Sequence, residues 1–120
     1  MFPLIKLSRT QISRAEDGAK LPALREKFDI VTARAVAAMP VLCEYCLPYV
    51  KVGGAFAAMK GPNENIYEAE NAVKILGGKI EKIENYELNG EGRSVIVVRK
   101  ISHTPIKYPR NSGQINKKSL

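Results

Sequence analysis

The stretch Phe28-Asp-Ile-Val-Thr-Ala-Arg-Ala-Val36 constrains the fold more than any other part of the chain. Its middle is short, apolar and rich in β-branched residues, with an acid near its start and Arg34 near its end. That pattern suits a strand buried on both faces of a parallel sheet, leaving polar residues where it emerges at the rims. Open α/β sheets bind ligands beyond the carboxyl ends of such strands. Arg34 is therefore expected at the mouth of a site.

At 120 residues the chain holds one domain's worth of core. No run approaches the ~20 apolar residues that span a bilayer. The start, Met1 to Leu7, is too short in apolar length for a signal peptide and lacks a basic beginning. A cytoplasmic protein with no membrane partner is expected. The net charge of +7 is unevenly placed: residues 1–92 hold 12 bases and 12 acids, while residues 93–120 hold seven bases and no acid. A basic end on a neutral body points to a polyanion, usually nucleic acid, or else to a solubilising terminus. Cys43 and Cys46 form a lone C-x-x-C, which is no disulfide framework.

Before the Phe28 strand, Leu4–Leu7 and Thr10–Ser13 are candidate short strands, residues 14–18 a polar loop and residues 22–27 a helical turn. After it, Met39-Pro40 opens a helix to about Leu47, with Val41, Leu42, Tyr45 and Cys46 on one apolar face. Pro48 and Gly53-Gly54 end it, and Ala55–Met59 forms a second apolar strand. Asn63 is a candidate N-cap, with Glu64 in the first turn. Ile66, Ala69, Val73 and Leu76 share a face of that helix, Glu70 and Lys74 pair on another, and Gly77-Gly78 stops it. A hairpin through Asn89-Gly-Glu-Gly92 joins a charged strand, Lys79–Leu88, with a bulge or a bend near Ile83, to an apolar one, Arg93–Ile101. The expected order is the Phe28, Ala55, Arg93 and Lys79 strands, only the last of these antiparallel to the pattern of its neighbours. From Ser102 the chain is expected to be irregular.

A βαβα run closed by a hairpin that slots its second strand inside resembles the C-terminal half of the Rossmann-like class I methyltransferase fold, here with a basic tail. Specific stretches resemble one family: residues 14–17, 28–35, 44–48, 52–54, Lys60-Gly-Pro62, Lys107-Tyr-Pro-Arg110 and Asn116-Lys-Lys118. It is the small-subunit (16S) rRNA guanine-N7 methyltransferase family, and the resemblance covers roughly residues 14–120. It divides the chain into an unmatched segment 1–13, a partial methyltransferase domain 14–101 and a basic tail 102–120. The resemblance implies S-adenosyl-L-methionine as cofactor, with Ala15 and Glu16 against the adenine and Arg34 at the strand end. It implies small-subunit ribosomal RNA, or the ribosomal subunit, as partner. Arg110, Lys117 and Lys118 are candidates for phosphate, Tyr108 for base stacking, and Asn116 for a further RNA contact.

The departure is as informative as the match. The family's Gly-rich loop and the acid ending its second strand are absent, since the chain has no G-x-G-x-x-G. Guanine N7 already carries a lone pair, so methyl transfer needs positioning and desolvation and no general base. No catalytic side chain and no metal site are named, and His103 reads as a tail residue. Two alternatives stay open: a non-catalytic RNA-binding fragment of this fold, and a thiol-redox module through Cys43 and Cys46. Without its usual neighbour, the Phe28 strand is either an open edge that promotes self-association or is patched by residues 4–13.

Overall fold

The computed structural model describes residues 4–7, 12–14, 24–34, 38–61 and 66–120. The chain runs through β1 (Leu4–Leu7), β2 (Ile12–Arg14), β3 (Phe28–Arg34), α1 (Met39–Cys46) and a 3-10 turn, Leu47–Tyr49. It continues with β4 (Val50–Lys60), a second 3-10 turn (Ile66–Ala69), α2 (Glu70–Ile75), β5 (Gly78–Leu88), β6 (Glu91–Lys100) and α3 (Ser112–Lys117). Among the described residues no helix is long and apolar enough to cross a membrane.

The strands form one mixed sheet in the order β2-β1-β3-β4-β6-β5. The inner order from β3 to β5 is the one expected from the apolar and charged strand compositions. The direction differs. β3 and β4 are parallel, and β6, not β5, runs against the rest, antiparallel to both β4 and β5. A hairpin reverses its second strand, so placing that strand inside leaves β5 aligned with β3 and β4. β1 adds antiparallel to β3 through Lys6 with Thr32 and Leu7 with Val31, and β2 adds to β1. β3 is therefore an inner strand, and the open edge that would drive self-association does not form there.

Local sequence explains the other details. Pro40 lies in the first turn of α1, where its missing N–H leaves no bond unmade. The Gly53-Gly54 pair does not end an element but sits within β4, where the register against β3 shifts between Phe28 and Ile30. Gly53 has φ +91°, and a Cβ on Gly54 would come within 2.6 Å of Asp29 O. Asn89 and Gly90, both at positive φ, make the two-residue hairpin turn. The β5 bulge falls between Ile80 and Lys82. Ala69, Ala72, Val73 and Leu76 are buried along the second helix, whereas Asn63 and Glu64 lie outside the described residues. Gly77 ends that helix at φ +89°, its carbonyl accepting the N–H groups of Ile101 and Ser102.

The segment after Ser102 is folded rather than irregular. Thr104 Oγ1 donates to Leu76 O at 2.6 Å, Asn111 caps α3 by accepting from Gln114 N, and Ile115 is buried. α1 is consequently covered on more than its apolar face. Glu44, within it, is fully buried and accepts from Arg110 in two-pronged geometry, Nε to Oε2 at 2.9 Å and Nη2 to Oε1 at 2.7 Å. The Arg110 N–H also reaches Glu44 Oε2 at 2.8 Å. Such pairs combine charge with fixed geometry.

A second ionic node lies at the carboxyl end of β6. Lys100 is completely buried, and its Nζ donates to Leu47 O (2.7 Å), Val50 O (2.9 Å) and Glu26 Oε2 (3.1 Å). Glu26 Oε2 also accepts from Thr104 N at 3.1 Å. Burial pulls the Lys100 ammonium down to about 8, against the opposing charge of Glu26. Burial pushes the Glu26 carboxyl up, but the Thr104 N–H, the Lys100 charge and its hydrogen bond, and the contact with His103 together hold it below its ordinary 4.5.

Two outcomes are expected from these nodes. Arg110→Ala strands the fully buried Glu44 carboxylate and lowers unfolding free energy by about 3–5 kcal/mol in urea titration. Because the folded Glu26 carboxyl is more acidic than the unfolded one, its contribution is present above 4.5 and lost as pH falls through the folded value. Glu26→Gln is therefore less stable at neutral pH and shows a shallower acid limb in a stability–pH profile.

Candidate functional site

The carboxyl ends of β3 and β4 open onto one cleft of about 450 Å³, lined by Arg34, Met59, Lys60, Gly61, Tyr86, Leu88 and Arg93. The topology explains the gathering. Parallel β3 and β4 bring Arg34 beside Met59, and antiparallel β6 starts at the same rim, setting Ser94 opposite Lys60. β5 ends there too, with Tyr86 opposite Arg93 and Leu88 opposite Glu91. Ser94 Oγ donates to Gly61 O at 2.8 Å and pins the exit of β4. Three cationic side chains thus meet an aromatic ring at one rim. Arg93 is held by Glu91 at 2.9 Å and Lys60 is nearly buried, while Arg34 stands exposed.

Arg34 occupies the place expected for it. Ala15 and Glu16, the residues expected against the adenine, lie outside the described residues. Lys60, Tyr86 and Arg93 were not legible as site residues, because only the strand order brings them together. One sign was available: Lys60-Gly61 follows a buried apolar strand directly, as a residue at a carboxyl rim does.

The tail residues divide. Asn116, Lys117 and Lys118 are exposed on and just after α3. Tyr108 is only 8% exposed, its carbonyl accepts from Arg25 Nη1 at 2.7 Å, and Lys107 Nζ lies 5.3 Å from its ring centre. Arg110 is committed to Glu44 and, through Nη2, to Lys118 O at 2.9 Å. Within this chain Tyr108 is thus largely covered, and Arg110 engages Glu44 and Lys118 through Nε and Nη2. Both hold α3 to the body. His103 is exposed in the tail, its Nδ1 3.4 Å from Glu26 Oε1.

Cys43 and Cys46 are free and wholly buried in α1. Burial pushes the Cys43 thiol up to about 12, with the Lys60 charge opposing, and holds Cys46 well above its ordinary value. A nucleophilic or metal-binding cysteine needs the thiolate. Burial disfavours the thiolate at both positions.

Residues 5–97 match the family described as rRNA small subunit methyltransferase G. The match begins within the segment 1–13. The chain is similar to the ribosomal RNA small subunit methyltransferase G of Clostridium beijerinckii, 55% identical over 114 residues, covering 90% of this chain and 47% of the relative. It is similar to that of Lactobacillus johnsonii, 53% identical over 112 residues, covering 90% and 47%. For Clostridium perfringens strain 13 the figures are 48% over 120 residues, covering 97% and 50%. The chain spans about half the length of the curated relatives it matches. Among solved structures it is similar to a T. thermophilus 16S rRNA methyltransferase in complex with AdoMet and guanosine, at TM-score 0.45 and 15% identity, over 68% of this chain and 22% of that one.

Thiol labelling tests the burial. Neither cysteine reacts with an aromatic disulfide reagent at pH 8 in the native chain, and both react on unfolding in urea. Rapid modification of one thiol without denaturant would show that α1 is open.

Proposed function

This chain belongs to the rRNA small subunit methyltransferase G family, and we propose that it forms the carboxyl-terminal wall of an S-adenosylmethionine-dependent enzyme methylating guanine N7 in small-subunit ribosomal RNA. The observation that carries this reading is the rim cleft, where Arg34 and Arg93 face Tyr86 at the carboxyl ends of the parallel pair. An open α/β sheet binds its ligand there.

The cofactor, when bound, supplies a methyl group on a sulfonium that leaves as a neutral thioether. The fit of this chain to it is partial. Arg34 suits the carboxylate of the methionyl group, and Ala15 and Glu16 are proposed for the adenine. Arg93 suits an RNA phosphate better than a sulfonium, because like charge repels it. Tyr86, 44% exposed beside them, offers a ring on which a base stacks. Guanine N7 needs no deprotonation, so the residues of this chain bind, orient and shield. None is required to move a proton. Asn116, Lys117 and Lys118 extend the basic surface on α3, held in position by Arg110 and Tyr108.

The half-length of the chain also favours a second reading, an RNA-binding piece of the fold that performs no methyl transfer alone. Calorimetry with S-adenosylmethionine separates the two. With one wall of the pocket, weak or no binding is expected, and micromolar affinity would show that residues before β3 rebuild the other.

RNA binding has its own test. Affinity for a small-subunit rRNA fragment falls with added salt, and Lys117→Glu with Lys118→Glu lowers affinity and reduces the log–log salt slope by about 1–2. An unchanged slope would remove α3 from the interface.

A further inference from the structure

The β5–β6 hairpin runs on past its neighbour. β4 stays paired with β6 as far as Lys60, opposite Ser94, and there its strand ends. β5 and β6 continue, Tyr86 opposite Arg93 and Leu88 opposite Glu91, to the turn at Asn89 and Gly90. Ser94, Ile96 and Val98 are buried. A Cβ added to Gly78 would meet Val98, Val73 of α2 and Leu47 at 2.8, 3.1 and 3.4 Å, so these residues of β6 face the helices. Alternate residues point the other way. Glu91 and Arg93, and with them Leu88 and Tyr86, therefore stand on the uncovered face. The same strand carries Glu81, Lys82, Glu84 and Glu87, charges that keep a sheet edge from pairing with another chain. Tyr86 and Leu88, 44% and 52% exposed, depart from that pattern at the tip. They line the cleft together with Met59, itself 39% exposed. Ile83, also exposed, lies opposite Ile96 and points to the helix side. Single exposed apolar side chains are ordinary, but several gathered on one cleft mark a contact surface.

We infer that the projecting hairpin tip is a wedge that holds one unpaired RNA base out of its stack, the base lying on the Tyr86 ring while Leu88 takes the place of the base next to it. Three observations favour that occupant. Arg34 and Arg93 share the cleft with these two side chains, so a nucleic-acid backbone is drawn to the rim from which the tip projects. Glu91, 70% exposed opposite Leu88, holds Arg93 at 2.9 Å and repels a phosphate from the tip itself. The backbone is thereby kept to the arginines, and the apolar pair is left to a base. The ribbon is also open on both sides: among the described residues no strand lies beyond β5, and β4 ends before Tyr86 and Leu88 are reached. A strand can pass around it. A base inside a duplex has both faces covered by its neighbours, so only an unpaired one offers a face to the tyrosine ring. An apolar side chain placed between two bases offsets part of the cost of separating them.

The inference rests on the RNA-binding reading of the cleft and not on methyl transfer. It is tested with the full chain and short RNA strands that carry one 2-aminopurine, in a uridine run, where bases stack weakly, or in an adenine run, where they stack well. Binding of the uridine strand lowers the 2-aminopurine fluorescence as the base stacks on the ring. Tyr86→Ala abolishes that drop and lowers affinity about tenfold, the loss of one base–aromatic stack, while the log–log salt slope stays as it is because no phosphate contact is removed. Tyr86→Phe keeps both. Leu88→Ala weakens binding of the adenine strand more than that of the uridine strand, since only the former must be unstacked, and Leu88→Met restores it. The exposed tail variant Ile106→Ala is unchanged. Affinities of Tyr86→Ala and Leu88→Ala within twofold of the parent would overturn the inference and leave RNA binding intact, as would bound RNA with no fluorescence change. Equal affinity for the same strand annealed to its complement would also overturn it. Absence of any RNA binding at low salt would overturn it together with the reading on which it rests.

Discussion

The buried ammonium of Lys100 is the contact on which the packing of this chain turns. It has three protons and three acceptors: the carbonyls of Leu47 and Val50 at the corner between α1 and β4, and the carboxylate of Glu26 in the turn before β3. One side chain at the end of β6 thereby fixes the entries of both parallel strands. Taking such a charge from water costs several kcal/mol, and the cost is offset only when every donor is used. Glu26 meets that requirement from an unusual backbone, φ +50°, a left-handed conformation that costs a non-glycine residue about 1–2 kcal/mol. The same carboxylate takes the Thr104 N–H, so the tail starts from this node.

Glu44 and Arg110 repeat the device at the far end of the tail. Together the two pairs turn a run that looks like a basic appendage into part of the domain. They also divide its charge into two kinds. Lys100 and Arg110 are consumed by folding, whereas Lys117 and Lys118 remain on the surface. The excess positive charge of the carboxyl-terminal quarter therefore overstates what is available to a polyanion, and what remains is divided between β6 (Arg93 and Arg99), Lys107 and the end of α3.

The same sheet links site and surface. Its carboxyl rim gathers Arg34, Lys60, Tyr86 and Arg93 because β3 and β4 are parallel and the hairpin returns β6 between β4 and β5. Its uncovered face leads into that rim.

The sequence by itself determined the main elements from β3 to β6 and their inner order, but not α3 or the extension of β4 back through Gly53-Gly54 to Val50. Val31 and the Val95–Val98 run are apolar and β-branched, the Lys79–Leu88 run is charged and interrupted, and glycines mark the turns; these are properties of neighbours a few residues apart. It also placed Arg34 at the rim, although β3 is buried on one face only, with Asp29 and Ile30 exposed, and not on both as its composition suggests. Only the tertiary structure decided which bases are spent internally, since nothing near Lys100 announces Glu26, 74 positions away, or near Arg110 announces Glu44. It likewise decided that β6 is the reversed strand, that β1 covers β3, and that Lys60, Tyr86 and Arg93 share a cleft with Arg34. Periodicity and composition report what a residue needs, burial or water, but partners distant in sequence are chosen by how the sheet closes.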